Sequence, residues 1–432
     1  MLPLIIFLLI SPAICASDGI SPGGDPPPRG AVLLIVDGLG SSYIYPEHMP
    51  YSVEGRPLEQ AVLFNISDGA RVLDMRAPVP STVPAHSTIV TGCSSADEIL
   101  VGMNSATIFD AARNSGYICL AILQRGDFMN MLLEQDGVLY FENNSLSGDP
   151  TMGSRSDLPD DAREILEEWM HAYRFYSSSY PRYNRWGLDA AADIVRRLDR
   201  PFLLTVNIGG IDSAGHYRGF DEYIRAVRAL DVGLGELVRA CRERGVLLIL
   251  TADHGMSFRG SRGGHAGENY SDRLESLRIP MIAIGPGVDE VILGGKWSQA
   301  DIAPTLLALL GIDDGLTMSD GRSLPIRKRY NLRVELPRPG VVEVHRNGSV
   351  VARDTGSSSY TFRGLERGAY DLYIAGHPRS IVLSDDTTLD LRHPSSGVIP
   401  RWLVGALLII TINACGIFVI VRLLRIRGRD GQ

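Results

Sequence analysis

The runs 31–36 and 246–251 are apolar almost without interruption, and residues 202–207 come close to the same pattern. Successive strand side chains point to opposite faces, so a run of this kind has to be sheltered from water on both. It belongs inside a sheet covered by helices above and below. Amphipathic stretches at helical spacing lie between the runs, at 106–114 ahead of the run 117–123 and at 220–242 ahead of the run at 246. Alternation of this kind from residue 31 to about 327 predicts an α/β domain, a mostly parallel sheet flanked by helices, over 31–326. In such sheets ligands collect beyond the carboxyl ends of the strands, so chemistry is expected just after each run.

After Pro325 the texture changes. The short runs 332–336, 341–344, 350–352, 360–362, 370–374 and 381–383 follow one another without helical stretches between them. Turn residues punctuate them, as in Pro337-Arg338-Pro339-Gly340, Asn347-Gly348 and Arg367-Gly368. This predicts a small all-β sandwich domain over 327–394, read as a stalk. The Pro/Gly-rich stretch 21–30 reads as disordered.

The two ends point to the membrane. Residues 2–14 are apolar but too few to span a bilayer, and small residues follow around Ala13 and Ala16, so 1–16 reads as a cleaved signal peptide, with an uncleaved anchor as the alternative. Residues 402–421 carry no charge and are long enough to cross as a helix, which places a transmembrane helix at 400–422, with a buried core helix as the alternative. Arg422, Arg425, Arg427 and Arg429 follow it, and positive charge favours the cytoplasmic side, so 423–432 becomes a cytoplasmic tail and everything before the helix is extracytoplasmic. Cys93, Cys119 and Cys241 are the cysteines between those ends, and an odd number gives no disulfide framework. The sequons at Asn65, Asn143, Asn269 and Asn347 fit an exported surface. With 45% hydrophobic residues the chain can bury a core, and its net charge of -8 argues against a nucleic-acid partner.

Residues that can bind metal fall where the strand rule puts them. Asp37 ends the first run; Asp212 and His216 follow the run at 202–207; Asp253 and His254 follow the run at 246–251; His265 lies in the glycine-rich loop Gly263-Gly264-His265-Ala266-Gly267. Taken singly, an aspartate after a strand is more often a helix cap, and a histidine more often a satisfied structural residue. Six together are too many for one tetrahedral site and suit two divalent metals, which can clamp the attacking and leaving oxygens of a phosphoryl transfer. The mixed Asp/His set suits zinc, with manganese or iron as alternatives. His48, His171, His345, His377 and His393 lack such a context and read as structural.

Thr82 opens the block Thr82-Val83-Pro84-Ala85-His86-Ser87-Thr88-Ile89-Val90-Thr91-Gly92, with Pro80 and Ser81 before it. There it would stand near a helix N-terminus, where backbone N–H groups attract an anion. A threonine hydroxyl attacks at neutral pH only if something ionises it, and a metal can do so. The plain alternative is that Ser81 or Thr82 merely caps the helix.

These pieces together resemble the alkaline phosphatase superfamily, nearest its type I phosphodiesterase/nucleotide pyrophosphatase branch. They are Val36-Asp37-Gly38, the Thr82 block, Ile211-Asp212-Ser213-Ala214-Gly215-His216, Thr251-Ala252-Asp253-His254-Gly255 and the His265 loop, with a family-like tail at 297–306. The resemblance covers residues 31 to 312. It implies that Asp212, His216 and His265 hold one zinc, and that Asp37, Asp253, His254 and the Thr82 hydroxyl hold the other. It further implies in-line attack by Thr82, a covalent phosphoryl-threonine and its hydrolysis by water. An asparagine beyond the nucleophile helps hold a phosphoryl oxygen in that branch, and Asn104 is the candidate here.

A sulfatase needs Cys or Ser followed by Pro and Arg at the nucleophile, and Thr82-Val83-Pro84-Ala85-His86 offers neither. The expectation is therefore a membrane-anchored hydrolase of small phosphodiesters or pyrophosphates. A phosphomonoesterase or a phosphoethanolamine-type headgroup transferase is the alternative, and a catalytically silent adhesion or receptor protein is a further one. Specificity is expected from the insert 127–184.

Overall fold

The computed structural model describes residues 28–48, 68–124, 129–142, 146, 148–312 and 315–392. The expected signal peptide 1–16, membrane helix 400–422 and tail 423–432 lie outside these. No helix among the described residues is long and apolar enough to cross a membrane. The chain divides into two compact units, with the break after Tyr330.

In the first unit the strands are β1 (Gly30–Val36), β2 (Ala70–Arg76), β3 (Ile118–Leu123), β4 (Gly137–Tyr140), β5 (Thr151–Ser154), β6 (Phe202–Ile208), β7 (Leu247–Thr251), β10 (Arg278–Ile284) and β11 (Val291–Ser298), with β8 (Ser257–Phe258) and β9 (Gly263–Gly264) forming a separate hairpin. Nine of them make one sheet in the order β11-β2-β10-β7-β1-β6-β3-β4-β5. β1 sits at its middle, parallel to β6 on one side and β7 on the other. β10 runs antiparallel to both β7 and β2, and β5 antiparallel to β4, so the sheet is mixed around a parallel centre. Every residue of β1 from Ala31 to Val36 is fully buried, which is why this segment carries no polar side chain. Gly30, at the end of the stretch expected to be disordered, opens β1 instead, in register with Phe202 of β6.

Helices cover the sheet. The helix Phe220–Arg244 buries Tyr223, Val227, Leu230, Leu234, Leu237 and Cys241, residues three or four apart that share one face, and it stops at Gly245, which takes the left-handed conformation. The stretch expected to be helical from Ala106 begins later, at Ile108, because Thr107 and Asp110 form a reciprocal capping box. The turns after β1, β6 and β7 open on one edge of the sheet, and β1 stands in register with both neighbours to its last residues.

The second unit holds β12 (Arg329–Glu335), β13 (Val341–Arg346), β14 (Ser349–Thr355), β15 (Ser359–Glu366), β16 (Gly368–Ile374), β17 (His377–Leu383) and β18 (Thr387–Asp390). They form two sheets, β15-β12-β18 and β14-β13-β16-β17. Leu332 and Val334, Val342 and Val344, and Tyr370 and Leu372 are buried at alternate positions, giving each sheet one inner face.

Candidate metal centre

Asp37 is the first residue beyond β1, and its N–H still donates to Ile208 O at 2.9 Å, so the carboxylate leaves the sheet from a fixed edge. The chain then turns through Gly38, whose φ of 76° is the left-handed region. Gly38 N–H donates to Asp253 Oδ1 at 3.1 Å. A Cβ at Gly38 would stand 3.0 Å from both Cα and Cβ of Asp212. Gly38→Ala is accordingly expected to lose roughly 1–2 kcal/mol of stability from backbone strain alone. It should also push Asp212 aside. A denaturant titration and a metal titration of the same sample check the two effects.

The structure gathers the six candidate ligands into two groups. Asp212, His216 and His265 form one, Asp37, Asp253 and His254 the other, and within each group one ligand atom per residue lies within 4.8 Å of the others. In the first, His216 Nε2 and His265 Nε2 stand 3.3 and 3.6 Å from Asp212 Oδ1. Asp212 and His216 reach the same point because they are four residues apart on the helix Gly210–Arg218. In the second, His254 Nε2 lies 3.5 Å from Asp37 Oδ1 and 3.3 Å from Asp253 Oδ2. The groups adjoin, since the rings of His254 and His265 stack with centroids 3.5 Å apart.

Backbone carbonyls set which ring nitrogen carries the proton. His254 Nδ1 is 3.0 Å from Gly255 O and His265 Nδ1 is 2.8 Å from Pro80 O. A carbonyl only accepts, so each Nδ1 donates and each Nε2 turns a lone pair toward the carboxylates. That is the orientation in which imidazole binds a metal, with its other nitrogen held by the protein. Burial, reinforced by the stacked His254, lowers the His265 pKa to about 4. Asp253, fully buried, is pushed up by burial and by Asp212, against the pull of His86. Its Oδ2 has no hydrogen-bond donor among the described residues. Three carboxylates and three imidazoles gathered in two groups, with one buried oxygen without a donor, fit divalent metal ions.

The His265 shift has a consequence for stability. Its folded pKa lies below the value in an unfolded chain, so the native state binds fewer protons and stability rises with pH between about 4 and 6.5. On acidification through that window the metal-free protein should lose roughly 3 kcal/mol more than its His265→Gln variant. Urea unfolding at several pH values gives the difference directly, and parallel curves for the two proteins would refute it.

Thr82 is the first residue of the helix Thr82–Thr91. Ser81 occupies the capping position with extended backbone, yet no side-chain cap hydrogen bond is made, so the first N–H groups of this helix remain available to an anion. Thr82 is buried, and its Oγ1 lies 3.3 Å from His254 Nε2. Capping therefore does not account for either hydroxyl. Asn104 is different: it sits exposed in the turn after the helix Glu98–Val101, and none of the contacts that define the two groups involves it.

One residue was not singled out by the sequence reading. His86 is buried, with Nδ1 2.8 Å from Thr82 O and 3.7 Å from Asp253 Oδ2, and Nε2 3.3 Å from the Asn207 amide. Its place four residues after Thr82 on one helix puts both on the same face, which was the available signal.

Residues 187–314 match the family model described as the Metalloenzyme superfamily. That segment holds Asp212, His216, Asp253, His254 and His265, and leaves out Asp37 and Thr82. Among curated relatives, the 2,3-bisphosphoglycerate-independent phosphoglycerate mutase of Ruegeria sp. (strain TM1040) is 35% identical over 126 residues, 28% of this chain and 23% of that protein. The same-named enzyme of Vibrio atlanticus (strain LGP32) is 37% identical over 120 residues, 27% of this chain and 22% of that protein. The chain thus spans less than a quarter of the length of these relatives. Among solved structures, wild-type alkaline phosphatase PafA is 14% identical with a TM-score of 0.50, over 70% of this chain and 99% of that one. A PafA variant, also 14% identical, gives 0.52 over 71% and 100%. At this identity the likeness establishes the fold.

Proposed function

We propose that this chain, which carries a metalloenzyme-superfamily segment within a unit of alkaline phosphatase fold, is a two-metal phosphoester hydrolase with Thr82 as its nucleophile. The observation that carries the reading is the Thr82 hydroxyl at a helix N-terminus, 3.3 Å from His254 Nε2 and beside two groups of three ligands. Asp212, His216 and His265 would hold one metal; Asp37, Asp253, His254 and Thr82 Oγ1 would hold the other. Bound there, divalent cations, zinc in the first instance, supply Lewis acidity and neutralise charge on the phosphoryl oxygens.

The chain's own groups do the rest. The open N–H groups at the start of the Thr82 helix receive a phosphoryl oxygen. Thr82 Oγ1 attacks phosphorus in line with the departing alcohol or phosphate; the O–P bond to Thr82 forms as the bond to the leaving group breaks, the hydroxyl proton ends on the leaving group, and water then cleaves the phosphoryl-threonine and restores the hydroxyl. Phosphodiesters or pyrophosphates are the preferred substrates of this reading, with Asn104 as a further contact to phosphate. Anchoring by residues 400–422 and an extracytoplasmic active site complete it; they rest on the sequence pattern at the two ends.

Metal analysis of the purified protein together with chromogenic phosphodiester, phosphomonoester and sulfate ester substrates provides the test. About two divalent metals per chain and turnover fastest on the diester are expected, with activity lost on chelation and restored by zinc. A chain that takes up fewer metals and turns over none of the three esters is the silent fold instead. Preference for the monoester would keep the two-metal chemistry and reject the branch.

A further inference from the structure

The helix that brings Asp212 and His216 to the first group has an unusual entry. Its capping position is Gly209, at φ -94° and ψ -13°, and its first residue is Gly210. Neither has a side chain to satisfy the first N–H groups of the helix, and two successive glycines leave the backbone more freedom than any other pair. The missing acceptors come from elsewhere in the chain. Gly209 N–H donates to Gln124 Oε1 at 3.1 Å, and Gly210 N–H donates to Asn184 Oδ1 at 3.0 Å. Gln124 follows β3, Asn184 lies on the helix Tyr180–Arg197, and both are buried.

These two amides are themselves immobilised. Gln124 Nε2 donates to Tyr183 O at 2.5 Å, and the Tyr183 hydroxyl donates back to Gln124 O at 2.5 Å. Gln124 N–H donates to Asn207 O at 3.3 Å, in the strand that leads into the helix. Gly210 is glycine because the Asn184 carboxamide fills the space a side chain needs: a Cβ there would stand 2.3 Å from Asn184 Oδ1. The second metal group has further supports of its own. Tyr223 OH donates to Gly38 O and accepts from Gly40 N–H, at 2.9 and 3.2 Å, and Gln299 Nε2 donates to Ala252 O and Asp253 O, at 3.0 and 2.7 Å.

We propose that Gln124 and Asn184 are positioning residues, a pair of side-chain amides that clamp the Gly209-Gly210 entry. They thereby set how tightly Asp212, His216 and His265 hold their metal, and act far less on the Asp37–Asp253–His254 group, which none of their hydrogen bonds reaches directly. The inference rests on the two-metal reading given above and adds residues outside every motif that suggested it. Asn184, the last residue of the insert 127–184, is buried and in this reading serves the metal group.

The test is calorimetric titration of zinc ion into metal-free full-length protein, with no substrate present. Wild type should show two binding events, and the one belonging to this group is identified by its loss in Asp212→Ala. Gln124→Met and Asn184→Ala each remove one acceptor and should weaken that event about 10–100-fold while moving the other by less than about twofold. Asn184→Asp keeps an acceptor at the same place and should stay within about threefold of wild type. Near-ultraviolet circular dichroism reports whether each variant is folded. If one acceptor-removing variant fails to fold, the other decides, because the two amides hold successive N–H groups of one helix. Equal weakening of both events, unchanged affinity in a folded variant, or an Asn184→Asp protein as weak as Asn184→Ala overturns the clamp. Wild type that binds no zinc overturns the two-metal reading itself, which is a distinct result.

Discussion

Thr82→Ala is expected to reduce turnover on the order of 10⁴-fold or more, the scale on which removal of a covalent nucleophile acts. The substitution removes the one hydroxyl that lies 3.3 Å from His254 Nε2 and leaves the other six candidate ligands in place. Metal content should therefore stay near that of wild type. Thr82→Ser keeps the oxygen at the head of the helix and should recover a measurable part of the rate. Steady-state kinetics and metal analysis of the same preparations check both statements. Undiminished turnover in Thr82→Ala would move the nucleophile elsewhere.

Asp253→Asn should separate activity from stability. The carboxylate is wholly buried, and Oδ1 already accepts from Gly38 N–H at 3.1 Å and from His254 N–H at 2.8 Å. An amide preserves that acceptor. Its NH₂ group then lies where Oδ2 now stands, 3.3 Å from His254 Nε2, whose lone pair can take the new hydrogen bond. A buried negative charge close to Asp37 is removed at the same time. The metal-free variant should consequently be more stable than metal-free wild type, by about 1–2 kcal/mol. Loss of an anionic ligand removes several kcal/mol of transition-state stabilisation, on the order of 10³ in rate. Opposite changes in unfolding midpoint and in kcat are the signature; a variant both weaker and inactive would show that the carboxylate stabilises the fold even without metal.

The middle of the sheet was legible because burial on both faces leaves no choice but apolar residues, as in β1 and β7. Its flanks were harder to read. β2 contains Arg71, Asp74 and Arg76; buried Arg71 makes a two-pronged pair with Glu47 at 3.0 and 2.7 Å, and such a partner is invisible in a local window. β11 is a half-exposed edge strand interrupted by Gly294-Gly295, where its register with β2 shifts. In the second unit, β18 has a single leucine in four residues and finds its place by pairing parallel to β12.

The six candidate ligands stood out because acids and imidazoles directly after buried strands are chemically conspicuous. Gln124 and Asn184 did not, since an amide 85 or 26 residues away in the chain reveals its purpose only when the backbone groups it meets are seen. His86 stands between these cases. It lay within the Thr82 block, but its contact with Asp253 depends on a strand that arrives 167 residues later. Asn104 remains a reading by resemblance, because its side chain faces solvent in this structure.

The strand order also bears on how such a chain can be made. β1 is made well before its sheet partners β6 and β7, which begin at Phe202 and Leu247. At ribosomal rates of about 5–20 residues per second, its fully apolar surface waits on the order of ten seconds or more for a neighbour. A ribosome-associated or translocation-associated chaperone that keeps this segment extended is thus expected to raise the yield of native protein, and refolding of the isolated chain should be slow and prone to aggregation at high concentration.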